Sequence, residues 1–214
     1  MKDALTLHRA LLEWEAVHEI VRLPIGIAHA DELPKALGLP ADRCLVTRVF
    51  TCDDDSGGGH GGGHGGGLGG GLGRGGPRRD RGRGRRFLAG VIVRAGDRPP
   101  GEAVRRAMGA ARVVPARADL VNAVTEYAAG LVCPLLLPES MPLLIDQRLA
   151  DGPPGPDVVY TPTGEPSTAL GIRGHDLAAL CQAKPVDLAA VPDLPAPGPR
   201  RGAANTPDRR RPVG

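Results

Sequence analysis

The residues with the clearest chemical potential lie in the run Thr125-Glu-Tyr-Ala-Ala-Gly-Leu-Val-Cys-Pro134. A helical pattern ends there, Gly130 permits a turn, and Pro134 fixes the exit four residues later. Glycine lets the backbone approach a ligand closely or take a positive φ, and successive N–H groups of a tight turn can converge on a carbonyl or carboxylate oxygen. The pentad Gly130-Leu131-Val132-Cys133-Pro134 is therefore a candidate main-chain substrate clamp, although most pentads of this form are ordinary loops. Cys133 would be its nucleophile if it had one. It stands in an apolar run with no neighbouring His or Lys to lower its pKa, which predicts a buried, inert thiol instead.

The remaining groups that bind metals or move protons are scattered. His8, His18 and His29 are singletons that read as surface or packing residues, and His175 is placed to cap a helix. His60 and His64 lie in a glycine run and, with Asp53, Asp54 and Asp55, form a grouping of metal-ligand type. Ordering so flexible a segment opposes binding, so no metal site is expected. Cys44, Cys52, Cys133 and Cys181 contain no CxxC pair, and no signal-peptide pattern opens the chain, which makes the cytoplasm the expected compartment. No apolar run approaches the roughly 20 residues of a membrane span.

Elements able to position the pentad follow from periodicity. Leu5, Leu7, Ala10, Leu11 and Trp14 share one stripe of a helix over residues 4–14, and residues 16–23 read as a strand. A short helix through Leu37 stops on Gly38. The run Leu45, Val46, Val49 and Phe50 predicts a buried strand, and Phe87 to Arg94 a second one that pairs with it as a hairpin. Helices are expected at 102–108 and 118–124, strands at 112–114, 143–146, 158–161 and 169–172, and a closing helix at 175–181. The rings available to the core are Trp14, Phe50, Phe87, Tyr127 and Tyr160.

Gly (32 residues) and Pro (22 residues) are far above a globular share, and they crowd into two stretches. Residues 53–86 hold only Leu68 and Leu72 as apolar side chains, too few to offset the entropy of ordering. One domain formed by 1–51 and 87–191 is expected, with a disordered Gly/Arg insertion at 52–86 and a disordered Pro/Arg tail at 192–214. The formal charge of +3 is uneven: Arg74 to Arg86 carries seven arginines against Asp80, and Arg200 to Arg211 five against Asp208. Long-range attraction to RNA would come from these stretches. The insertion reads equally as an RGG-type grip on RNA or as a neutral product of GC-rich coding bias.

The ordered chain resembles the YbaK family of aminoacyl-tRNA deacylases, relatives of the prolyl-tRNA synthetase editing domain. Its landmarks are His18-Glu-Ile-Val-Arg-Leu, Ala30-Asp-Glu-Leu with Leu37-Gly-Leu-Pro, Val46-Thr-Arg-Val-Phe, and Thr125-x-Tyr with Gly130-x-x-x-Pro134. Leu143-Leu-Ile-Asp146, Val158-Val-Tyr and Leu170-Gly-Ile-Arg with His175-Asp-Leu complete them. The resemblance implies a mixed α/β fold with a barrel-like central sheet surrounded by helices, and a trans-acting deacylase that hydrolyses mischarged aminoacyl-tRNA without metal or cofactor. By that resemblance Thr47 and Gly130 to Pro134 hold the aminoacyl group, and Asp146 is a strand-end acid of the pocket. The family's strand carries a lysine where this chain has Val46. Arg48 lies two positions on, on the same strand face and about 7 Å away, as the replacement cation. Leu131 replaces the family's second glycine. The alternative implied is a catalytically silent module that binds an aminoacyl group or nucleotide.

Overall fold

The computed structural model describes residues 1–54, 85–151 and 158–188. The expectations for residues 55–84, including His60, His64 and most of the arginine run, and for the tail from residue 192 lie outside these.

A nine-pair antiparallel hairpin of β2 (Leu45–Asp53) and β3 (Arg86–Arg94) forms the centre. Its strands run past both expected boundaries at Thr51 and Phe87, because Thr51–Asp53 are held on the other side by β4 (Arg112–Pro115) and Arg86 Nε donates to Asp53 at 2.8 Å. The Asp54 N–H still reaches the Arg85 carbonyl, so the long connection leaves the ladder closed at its base. That fits the slow growth of closure entropy, about 0.6 kcal/mol per doubling of loop length.

Beyond β3 the sheet turns parallel. β5 (Leu143–Asp146) pairs with β3, and β8 (Lys184–Val186), which periodicity did not predict, pairs with β5, giving the order β4-β2-β3-β5-β8. A separate antiparallel sheet has the order β1 (His18–Arg22), β7 (Thr168–Arg173), β6 (Val158–Pro162). The expected mixed α/β class holds, but the sheet does not close into a barrel. The parallel strands prolong the five-stranded sheet away from the smaller one, and a Cys44–Tyr160 bridge links the two.

Alternation along β2 and β3 gives the large sheet two buried faces. Val46, Phe50, Ala89, Val91 and Val93 belong to one apolar cluster, completed by Leu33 and Ala36 of α2 (Leu33–Leu37) and Val104 of α3 (Gly101–Met108). Leu45 and Ile92 belong to the other, with Leu7 and Leu11 of α1 (Ala4–Glu13), Val121 of α4 (Ala118–Thr125) and Leu177 of α6 (Gly174–Cys181). The expected α1 stripe is only half correct, since Leu5 and Trp14 are 53% and 42% exposed. His175 lies inside the first turn of α6 without a capping bond and pairs with Asp176. A short helix α5 (Gln147–Ala150) follows β5, started by Asp146, whose carboxylate accepts from the Arg148 N–H. Among the described residues no helix is long and apolar enough to cross a membrane.

Candidate functional site

The Gly130 loop begins where α4 ends. Thr125 Oγ1 donates to the Val121 carbonyl and accepts from the Tyr127 N–H, and Glu126 takes a left-handed φ of 62° that stops the helix. Tyr127 is fully buried, and its hydroxyl donates to the Leu135 carbonyl at 3.0 Å, tying the far end of the loop to its start. Asn122 Oδ1 accepts from the Ala129 N–H. The Gly130 carbonyl accepts from the Ala30 N–H at 2.8 Å, so the loop lies against residues 28–30 with no room for a side chain. Tyr127→Phe leaves the buried Leu135 carbonyl without this donor, and we expect it to lower stability by roughly 1–3 kcal/mol, read by denaturant unfolding.

The loop threads between the two cores, with Leu131 in one and Val132 and Cys133 in the other. Both Val132 and Cys133 are buried, yet among the described residues no acceptor meets either main-chain N–H. Thr47 is 8% exposed, and its Oγ1, like that of fully buried Thr161, has no hydrogen-bond partner among the described residues. Strand alternation puts Thr47 on the Leu45 side of the sheet and Thr161 on the Val159 side of β6, so both face the cluster that holds Val132 and Cys133. Unpaired buried polar groups are costly and rare, and those turned toward the cluster of Val132 and Cys133 mark it as a candidate ligand site. Cys133 is the inert thiol its sequence context predicts: burial pushes it up to about 12, and its neighbours are Tyr127 and the Leu135 N–H.

The two candidate catalytic side chains lie elsewhere. Arg48 shares the Val46 face of β2, opposite to Thr47. Its guanidinium donates to Asp31 at 2.5 Å and to the Asp97 carbonyl at 3.2 Å. Asp31 also accepts from the Gly96 N–H and from Arg98. Burial by itself would raise the Asp31 carboxyl, but these donors outweigh it and hold the group at about 2. Arg48 is joined to the loop only at one remove, through Asp31 and its neighbour Ala30. Val46, where the resemblance implies a lysine, is 1% exposed and packed in apolar surroundings.

Asp146 ends β5 and is gripped by Arg148 through two hydrogen bonds of 3.0 and 2.6 Å. That pairing holds its carboxyl below the usual range against the opposing effect of burial. It lines a cleft of about 260 Å³ with Arg94, Asp97, Arg98 and Arg148, whereas Pro134 lines a different cleft of about 610 Å³ with Trp14, Leu137 and Met141. The structure thus sets Thr47, Val132 and Cys133 at one core, Leu131 at the other and Pro134 at a separate cleft, with Arg48 and Asp146 held in ion pairs. Among the described residues no cluster of three or more His, Cys, Asp or Glu could hold a metal.

Sequence reasoning missed Asp31, Arg98 and Lys2, which bond to residues 17 or more positions away, and Thr161, whose Oγ1 has no partner among the described residues. The Ala30-Asp-Glu-Leu landmark pointed to Asp31, but only the fold supplies its partner.

The fold recurs among solved structures. A hypothetical protein of known crystal structure is 17% identical, with 85% of this chain and 97% of that one covered and a TM-score of 0.61. A candidate trans-editing enzyme for prolyl tRNA synthetase is 19% identical, with coverages of 84% and 92% and a TM-score of 0.58. A computationally designed epitope scaffold is 18% identical, with coverages of 79% and 84% and a TM-score of 0.53. At these identities the likeness is one of fold. No curated protein matches the chain. Residues 79–180 match the model of the aminoacyl-tRNA editing domain family.

Proposed function

We propose that this protein is a trans-acting aminoacyl-tRNA deacylase, which hydrolyses the ester between a wrongly attached amino acid and the terminal ribose of tRNA. The observation that carries the proposal is the Gly130–Pro134 loop, within the stretch that matches the editing-domain family, with two main-chain N–H groups lacking acceptors among the described residues and the unpartnered hydroxyls of Thr47 and Thr161 turned toward the same apolar cluster. Its trans-acting part is supported by the likeness to a candidate trans-editing enzyme, 92% of which is covered.

In this reading the Val132 and Cys133 N–H groups receive the ester carbonyl oxygen. Water adds to the carbonyl carbon, and negative charge gathers on the oxygen those groups face. The ester C–O bond then breaks, the ribose oxygen leaves with a proton, and the amino acid departs as its carboxylic acid. A neutral Cys133 thiol does not enter the reaction. Rate comes from fixing the ester and water in place, without a side-chain base. Arg48 and Asp146, held in their ion pairs, brace the walls of the domain, and the arginine run at 74–86 adds a sequence-independent grip on tRNA. A substrate used in translation supports the cytoplasm as its compartment.

A second reading has specific support. With Val46 buried where the family carries lysine and Arg48 neutralised by Asp31, the site would hold an aminoacyl group without hydrolysing it. Single-turnover hydrolysis of tRNAs mischarged with alanine, serine and cysteine separates the two. We expect the wild type to exceed the uncatalysed rate by at least a hundredfold and a folded Arg48→Ala variant to retain most of that. Loss of hydrolysis in the variant would make Arg48 the relocated cation. Wild-type binding without hydrolysis would establish the recognition module.

A further inference from the structure

We infer that Lys2 is a positioning residue that holds the Gly130 loop in its working shape; the inference rests on the proposed role of that loop. Two residues with left-handed backbone and no glycine's freedom bracket the loop, Glu126 at φ 62° and Leu136 at φ 57°. Each such residue costs roughly 1–3 kcal/mol and persists only where its surroundings enforce it. Lys2 touches both. Its Nζ donates to the Leu136 carbonyl at 2.6 Å and to the Thr125 carbonyl at 3.1 Å, and it pairs with the Glu126 carboxylate at 3.3 Å. Three partners match the three donors of an ammonium group.

The rest of the residue is fixed as firmly. Its main-chain N–H donates to the Glu126 carbonyl at 2.8 Å, and its ammonium lies 5.5 Å from the centroid of the Tyr127 ring. A Cβ on Gly164 would come within 2.6 Å of the Lys2 carbonyl and 2.8 Å of the Tyr127 ring, so the β6–β7 turn closes over the same point. Lys2 therefore joins the two ends of a loop lying more than a hundred residues away in sequence, while Tyr127 joins them from inside. Neither contacts the unpaired N–H groups of Val132 and Cys133. They set the spacing of the backbone that carries those groups. A shift of one end relative to the other would splay them, and misplacements near 1 Å cost on the order of 100-fold in rate.

The test uses thiols already present. Cys133 lies inside the loop, while Cys44 and Cys52 are buried at the central hairpin. Native-state alkylation followed residue by residue by mass spectrometry reports opening of the loop against opening of the whole fold. We expect Lys2→Met, which keeps the aliphatic stem and removes the donors, to speed labelling of Cys133 at least tenfold with Cys44 and Cys52 unchanged. Lys2→Arg should restore most of the protection. In parallel, the saturating single-turnover rate on mischarged tRNA should fall at least tenfold, with the half-saturating concentration moving less than threefold. Equal acceleration at all three buried thiols would mean a general loss of stability and would overturn the inference, as would an unchanged Cys133. The labelling needs no tRNA, so a wild type without hydrolysis would count against the proposed activity while the bracing of the loop by Lys2 would still be decided by the thiols.

Discussion

Gly130→Ala should lower the single-turnover rate on mischarged tRNA by about a hundredfold or more while the protein stays folded. An alanine Cβ would sit 2.5 Å from the Ala28 carbonyl oxygen and 2.8 Å from His29 Nδ1. The nearer atom belongs to backbone, and the same segment donates the Ala30 N–H to the Gly130 carbonyl. The strain is relieved only if the loop withdraws from residues 28–30, which carries the Val132 and Cys133 N–H groups away from their positions. Overpacking of this kind costs roughly 1–3 kcal/mol of stability, so circular dichroism should report an unchanged fold with a lowered Tm. Within threefold of wild-type hydrolysis, the variant would show that the loop does not hold the substrate. Cys133→Ala is the informative companion, since a thiol pushed up to about 12 supplies no thiolate at neutral pH and its removal should spare the chemistry.

The fold and the loop differed in how far sequence revealed them. The hairpin was legible because Val46, Phe50, Val91 and Val93 are apolar and β-branched or aromatic, and both strands keep their pattern on either side of the glycine-rich stretch. β5 was legible over its whole span, and Gly38 ended α2 as its type predicts, with φ 65°. β8 was not. Lys184-Pro-Val186 has no alternation and contains a proline, tolerated there because the strand lies at the sheet's edge. The barrel was lost for a related reason, since a parallel β3–β5 pairing cannot be read from strand composition.

Within the candidate site, glycine and proline spacing marked a loop, and Gly130 does pack against residues 28–30 with no room for a side chain. The pairing of Arg48 depends on a partner that no local spacing encodes, since Asp31 lies 17 residues away and Gly96 and Arg98 reach it from the turn after β3, whereas Asp146 pairs with Arg148 only two residues on. Trp14 carried a misleading signal, because helical phase put it on the buried stripe while the helix ends at Glu13 and leaves the ring at the rim of a cleft.

Asp31→Ala should be the most damaging single change on the other face of the sheet, at roughly 2–4 kcal/mol. Its side chain is 23% exposed and that of Arg48 22%, so the pair is largely removed from water without being sealed. Deleting the carboxylate leaves the Arg48 guanidinium with the Asp97 carbonyl as its remaining partner and removes the acceptor of the exposed Gly96 N–H. For a domain of this size the loss corresponds to a fall in Tm of roughly 5–10 °C. The pH dependence gives a second reading of the same interaction. Asp31 is held at about 2 in the fold against an ordinary 3.8, so its ionised form is favoured by folding. The contribution is present above the unfolded value and disappears as pH falls from about 4 to about 2; at neutral pH it amounts to roughly 2 kcal/mol. Chemical denaturation of wild type and variant across pH 2 to 7 should show two curves separated at neutral pH that converge on acidification. A separation independent of pH would mean that Asp31 contributes through packing alone, and would return Arg48 to consideration as a free cation. Convergence would establish that its charge is spent on Asp31, which favours the main-chain donors of the Gly130 loop over Arg48 in the proposed hydrolysis.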